Sequence, residues 1–327
     1  MNLALKILLW IIGAIVGLVV VIIAGLNIYV RIEYASFYEE AQKEFRIPGI
    51  DSGFIPQDLD YIEEDDVWLF SGYVSGDDPS PVYRLYPNGS SDSIILLMPD
   101  GSPYTGHGGG ITSDDEHLFI TIEDGYLAFD LVDVMNATEE QAPTALGFVD
   151  VGFSPAFLNI EDDAMYLGDY YYPGSYETPD EHHIQMPDGT LNQAVMYSYP
   201  SDGSGDFGYA SSPAAVFSIP DSVQGFCLDS EGNYVLSASA NIQPTLLYRF
   251  DSSAVLSEQL GTFNASGVEV PLYGLWEGNM LSILEGPPMG EGIESLDGLV
   301  YLAEESASNK YIFGKLYGAG DVYALPL

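Results

Sequence analysis

Apolar positions follow two regimes along the chain. From residue 7 to residue 26 the sequence reads ILLWIIGAIVGLVVVIIAGL, twenty residues without a charge. Past residue 45 short runs instead alternate apolar and polar side chains and are broken by Gly, Pro, Asp and Asn. The first pattern predicts a helix that is apolar all round. At 1.5 Å of rise per residue its length matches the roughly 30 Å hydrocarbon core of a bilayer. The second pattern has the period of half-buried strands and predicts an all-β domain.

A cleavable signal has an apolar core of about 7 to 15 residues and a small-residue exit. This run is longer, and it is followed by NIYVRIEY, so the segment reads as an uncleaved anchor. The chain then divides into a cytoplasmic tail over 1–6, a transmembrane anchor over 7–30, a stalk over 31–45 with helix from 36, and a β domain over 46–327. Lys6 and Arg31 flank the span on both sides, which leaves the positive-inside rule without a preference. The acidity of everything after Arg31 places the large domain outside the cytoplasm, on a single-pass protein of the cytoplasmic membrane.

The β region repeats itself. Five times a Gly- or Pro-rich lead enters an apolar stretch, an acidic turn and a second strand: FIPQDLDYIEEDDVWLFSG from Phe54, GHGGGITSDDEHLFIT from Gly106, SPAFLNIEDDAMYLGD from Ser154, VQGFCLDSEGNYVLSAS from Val223 and MGEGIESLDGLVYLAEES from Met289. Each copy is followed by an aromatic-alternating third strand, PVYRLYP, GYLAFDL, AVMYSYP, TLLYRFD or DVYALPL. Fourth strands are read in SIILLMPDG, TALGFVDVG, AVFSIP and the stretch PLYGLWEGNMLSIL. Four strands in about 50 residues is the blade of a β-propeller. Five blades are predicted. The alternatives are six, with a degenerate blade hidden in 46–60 and 251–288, and a two-sheet sandwich with the same turn spacing. The last copy ends at its third strand, so residues 45–50 are expected to supply the missing outer strand and close the ring.

Charge narrows the partners. Eight Lys and Arg stand against 49 Asp and Glu, a formal net charge of −41, and no basic residue lies between Arg84 and Arg249. Such a field repels phosphate backbones, so nucleic acid is excluded as a ligand. Disorder is excluded too, because 24 Tyr, 15 Phe and 47% hydrophobic residues supply a core. The single cysteine, Cys227 in GFCLD, cannot form an internal disulfide and reads as a small buried hydrophobe.

The strings PPMGEGIESLDGLVYLAEESASNKYIFGK, FIPQDLDY and GSPYTGHGGGIT resemble a family of secreted or membrane-tethered bacterial β-propellers of uncharacterised function, over nearly all of 54–327. More distantly the layout is similar to lactonase-like and strictosidine-synthase-like propellers. That resemblance implies an axial channel and, in the enzymes, a metal held by carboxylates and amides. No ligand set matches residue by residue.

The innermost strand of each blade opens onto the axis, so polar residues at like places should converge there: Gln57, His107, Gln224 and Glu291, with Ser154 in the third copy. Such a set could bind a ligand, hold Ca²⁺ or Mg²⁺ through oxygens with Glu291 and Gln57 as ligands, or position a water with Glu291 or His107 as base. Against this stands simple mutual hydrogen bonding at the mouth. Glu304, Glu305 and Ser306 near Lys310 read as a structural ion pair. His182 and His183 lie in a polar insertion over 174–192, where Tyr170, Tyr171, Tyr172 and Tyr176 could form a rim; two adjacent histidines alone are a poor zinc signal. DSEGN from Asp229 reads as a β-turn. No nucleophile elbow, zinc-protease helix, Walker loop or EF-hand is present. Two functions follow: a binding or scaffold propeller with a protein or small-molecule ligand, or a metal-dependent lactonase-like or esterase-like hydrolase acting at the axis.

Overall fold

The computed structural model describes residues 3–76, 78–138 and 140–327. Residues 1 and 2 of the tail expected over 1–6 lie outside the described residues. The rest of that tail is the first turn of the N-terminal helix, Leu3–Glu33. Of its side chains only Val30 is buried, and the helix is long and apolar enough to cross a membrane.

Five antiparallel blades follow, so the six-bladed and sandwich alternatives fall away. Blade 1 comprises Phe54–Ile62, Val67–Val74, Pro81–Leu85 and Ser91–Ile95. Blade 2 comprises Ile111–Ser113, His117–Ile122, Gly125–Asp130 and Gly147–Asp150. Blade 3 is built from Phe157–Glu161, Ala164–Gly168, Ala194–Pro200 and Ala215–Ile219. Blade 4 takes Val223–Leu228, Tyr234–Ala238, Thr245–Phe250 and Met280–Gly286. Blade 5 takes Gly290–Leu296, Leu299–Glu304 and Asp321–Leu325, and its outer strand is Gln42–Arg46 from the start of the chain.

That closing strand corrects the expected one. It pairs Gln42 with Ala324 and Arg46 with Asp321, and it ends where residues 45–50 were expected to begin in earnest. Ile47 and Ile50 are instead buried in the turn that leads to blade 1. The stalk helix is correspondingly short, Ala35–Glu40. Nor is the stalk free: Val30, Tyr34 and Phe37 join Cys227, Val235, Ile293 and Tyr323 in a core between blades 4 and 5. Cys227 is fully buried, and desolvation pushes its thiol well up.

The stretch 251–288 hides no sixth blade. Gly261–Ala265 and Val268–Gly274 form a hairpin that leaves blade 4 and adds to blade 3, with Val268–Gly274 parallel to Ala215–Ile219. PLYGLWEGNMLSIL is therefore split, its first part on blade 3 and its last on blade 4. The hairpin covers an outer edge that would otherwise present unpaired backbone groups.

Inner strands pack so closely that side chains must vanish at some positions. A Cβ on Gly108 would lie 2.9 Å from the Gly72 nitrogen, one on Gly109 2.4 Å from the Ala156 oxygen, and one on Gly110 2.5 Å from the Leu158 nitrogen. The GHGGG run thus lets blade 2 enter between blades 1 and 3. Only glycine permits that approach.

Candidate functional site

The cleft lies where the inner strands begin. Its volume is about 1230 Å³, and Gln57, His107, Ser154, Gln224 and Glu291 all line it. The inner strands of blades 1, 4 and 5 carry Gln57, Gln224 and Glu291 in their first turns of pleat; His107 and Ser154 precede the inner strands of blades 2 and 3.

Four further groups complete the floor, none of them on an inner strand. Tyr73 ends the second strand of blade 1, while Glu305, Lys310 and Tyr311 come from the connection between the second and third strands of blade 5. Lys310 Nζ donates to Tyr73 Oη at 2.5 Å, Tyr73 Oη donates to Glu305 Oε1 at 3.3 Å, and Tyr311 Oη donates to the same oxygen at 2.8 Å. The expected acid–lysine ion pair is thereby replaced by a tyrosine-mediated one. Glu304 points elsewhere, fully buried beneath the stalk with both oxygens lacking a hydrogen-bond partner.

Electrostatics sort these groups by role. Glu291 is buried, and desolvation, followed by the nearby Glu305 and Asp58 carboxylates, pushes its carboxyl well above the usual range. Burial among other acids therefore favours its neutral form. Desolvation also raises Glu305, opposed by the hydrogen bond from Tyr311 and the charge of Lys310. His107 stacks on Tyr73 with ring centroids 4.2 Å apart. Water reaches it from the cleft, yet the surrounding wall and the Lys310 charge push its imidazole down to about 4, so it is neutral at pH 7. An acid whose neutral form is favoured by burial and an uncharged imidazole thus share one cleft. The pair can donate to and accept from a neutral polar ligand.

The cleft wall also includes Tyr170 and Tyr176 from the blade 3 insertion, as the tyrosine cluster suggested. Tyr171 is buried instead. The two histidines of the insertion point apart. His182 is buried, with Nδ1 2.5 Å from Asp169 Oδ2 and Nε2 3.3 Å from Tyr197 Oη; His183 Nε2 lies 3.1 Å from Thr178 Oγ1. His182 pins the insertion to blade 3, whereas His183 bonds within it. The Asp229 turn behaves as read: its carboxylate accepts from the backbone nitrogens of Glu231 and Asn233 and pairs with Arg249.

Calcium and magnesium require six or more oxygen ligands around one point. Among the described residues no three His, Cys, Asp or Glu side chains gather in that way. Glu291 is engaged by Gln224, and Gln57 donates to the Pro56 oxygen and bonds Glu305.

Fold and cleft together define a five-bladed β-propeller with a polar axial cleft, led by a helix long enough to span a membrane. No protein-family model matches the chain, and no curated protein matches it by sequence. Solved structures of similar fold include an oxidoreductase of Thermus thermophilus described as a glucose dehydrogenase, 8% identical over 87% of this chain and 99% of that one, TM-score 0.45. Another is the PQQ-bound aldose sugar dehydrogenase of Streptomyces coelicolor, 16% identical over 80% and 76%, TM-score 0.45. A gluconolactonase of Xanthomonas campestris is 12% identical over 88% and 95%, TM-score 0.40. The likeness is one of fold.

Proposed function

We propose that this chain is a membrane-anchored binding propeller, displayed outside the cytoplasm, whose axial cleft holds a neutral or cationic small molecule bearing hydroxyl or amino groups. One observation carries the reading: Gln57, His107, Gln224 and Glu291 line a single cleft with Glu305, Tyr73 and Lys310. Amides, tyrosines and acids offer both donors and acceptors, and the ring faces of Tyr170 and Tyr176 offer apolar walls. A field of net charge −41 concentrates cations and turns anions away.

Thermal melting of the full chain in detergent micelles with glucose, spermidine or citrate tests this. Glucose or spermidine should raise Tm by several degrees, citrate should not, and Glu291→Gln or His107→Ala should erase the shift. An equal response to citrate, or no response to any probe, would overturn the reading.

A second reading is favoured by Glu291 and His107 lining one cleft, a carboxyl and an imidazole that supply an acid and a base for hydrolysis without a metal. Turnover of a lactone or ester that disappears in Glu291→Gln would establish it; no turnover by the native chain would remove it.

A further inference from the structure

The N-terminal helix meets the propeller on the side where the cleft opens. Asn27 Nδ2 donates to the Leu316 oxygen at 2.8 Å, and Leu316 belongs to the short helix Ile312–Tyr317. That helix lies in the same connection that supplies Glu305, Lys310 and Tyr311 to the cleft wall. After Asn27 the chain packs down between blades 4 and 5 through Val30, Tyr34 and Phe37, and returns toward the cleft side along Gln42–Arg46. The bilayer that receives residues 7–26 therefore lies on the cleft side of the domain.

Exposure fixes how near it lies. Exposed apolar side chains on the N-terminal helix continue past Asn27, with Ile28 60%, Tyr29 53% and Ile32 70% exposed. A residue hydrogen-bonded to Asn27 thus stands at the depth of the membrane interface, where tyrosine is favoured. Among the described large apolar residues of the propeller, the four most exposed are Ile312 at 73%, Ile242 at 72%, Val132 at 65% and Tyr176 at 61%. Three of these ring the cleft: Tyr176 lines it, Ile242 follows the lining residue Asn241, and Ile312 follows Tyr311.

Charge agrees. Of the eight basic residues, Arg84 and Arg249 are held in ion pairs within blades 1 and 4, and Lys6 leads the N-terminal helix. The remaining five, Arg31, Lys43, Arg46, Lys310 and Lys315, all belong to the stalk, the closing strand and the connection that carries Ile312–Tyr317, where Lys43 pairs with Asp321, Arg46 and Lys315 pair with Asp51, and Lys310 bonds Tyr73. On a chain this acidic, that edge gathers most of the basic side chains, and Arg46, 55% exposed at the cleft-side end of the closing strand, is placed to reach head groups beside the apolar seat.

We infer that the cleft face rests on the bilayer, with the helix Ile312–Tyr317 and Ile242 seated in the head-group layer and the cleft mouth opening there. The inference rests on the anchor reading of residues 7–30. Cys227 is fully buried, so single introduced cysteines can carry a nitroxide label alone. The full chain in nanodiscs of phosphatidylcholine and phosphatidylglycerol would be labelled at Val19→Cys, Ile312→Cys, Ile242→Cys and, in the turn on the opposite face of blade 1, Glu64→Cys. Labels at Val19, Ile312 and Ile242 should collide more with oxygen than with an aqueous nickel chelate, and the Glu64 label should do the reverse. A lipid-exposed Val19 with Ile312 and Ile242 as aqueous as Glu64 would overturn the inference and leave the anchor standing. An aqueous Val19 would overturn both. Shielding of Ile312 and Ile242 from both reagents would show a protein surface on this face and overturn the inference as well.

Discussion

Two rings of acids surround the axis, and their hydrogen-bond partners differ. At the mouth, Glu291 and Glu305 are engaged by side chains: Gln224, Gln57, Tyr73 and Tyr311. One or two strand positions deeper, at the waist, the partners are mostly backbone of the next blade. Asp58 accepts from the Ile111 nitrogen at 2.9 Å, Glu161 from the Leu228 nitrogen at 2.8 Å, and Asn159 donates to the Phe226 oxygen at 2.8 Å. Asp60 is tied to blade 2 as well, through Ser113 Oγ at 2.7 Å. Waist groups staple neighbouring blades, and an acid so used cannot turn toward a ligand without freeing a buried N–H. Mouth acids can exchange their partners for a ligand at small cost. Burial alone does not distinguish the two rings; the nature of the donor does.

The harshest test of the waist is Gly292→Ala. The new Cβ would lie 1.6 Å from Asp58 Oδ1 and 2.6 Å from its Cα, so the joint between blades 5 and 1 must open. A loss of at least about 3 kcal/mol, the upper range for overpacking, is expected in denaturant unfolding. A stability within about 1 kcal/mol of the native chain's would, on that scale, show that the blades are not held by this contact.

The second effect is a dependence on pH opposite to that of salt-bridged carboxylates. Desolvation raises Asp60 to about 6, Glu161 to about 7 and Glu304 to about 8. Their unfolded values are near 3.8 for Asp and 4.5 for Glu, so the folded chain binds more protons between those limits. Stability is then full below about pH 4 and falls as pH rises toward 8. Melting curves from pH 5 to pH 8 should show Tm declining, and Glu304→Gln should flatten the upper part of the decline. A Tm that rises over this window would contradict the burial of these groups.

Asp58→Asn separates hydrogen bonding from charge at the waist. Both carboxylate oxygens accept backbone N–H groups, from Leu59 and from Ile111. An amide can satisfy only one, so about 1–3 kcal/mol should be lost to the other. At the mouth the matching change, Glu291→Gln, should cost less than about 0.5 kcal/mol, because the amide is an uncharged isostere that can keep a hydrogen bond with Gln224 and carries no charge against Glu305. Comparable losses at both positions would erase the distinction between the rings.

Much of this architecture is legible in the sequence because each element carries its own period. All five third strands are found where aromatic alternation marks them, from Pro81 to Leu325. The inner-strand polar residues are legible for the same reason: repetition says which positions are equivalent. Closure of the ring by the segment before blade 1 is legible too, but the bounds of that strand are not, because QKEFR is mostly exposed and has no apolar face to fix its register. Nor is the excursion of 261–274 onto blade 3, a pairing of strands distant in sequence. Lys310 offered a signal, as a lone cation among acids, but its partner Tyr73 is 237 residues away.

The sequence by itself determined the apolar span, the five-fold repetition and the excess of acid, because hydrophobic period, turn residues and charge are local properties summed along a chain. The tertiary structure alone decided which acids line the cleft and which join blades. It also set the apolar N-terminal helix, the cleft wall and the exposed rim of Ile312 and Ile242 on one side of the domain. Those outcomes depend on which backbone groups and side chains meet across hundreds of residues when the ring closes, and no local pattern encodes that meeting.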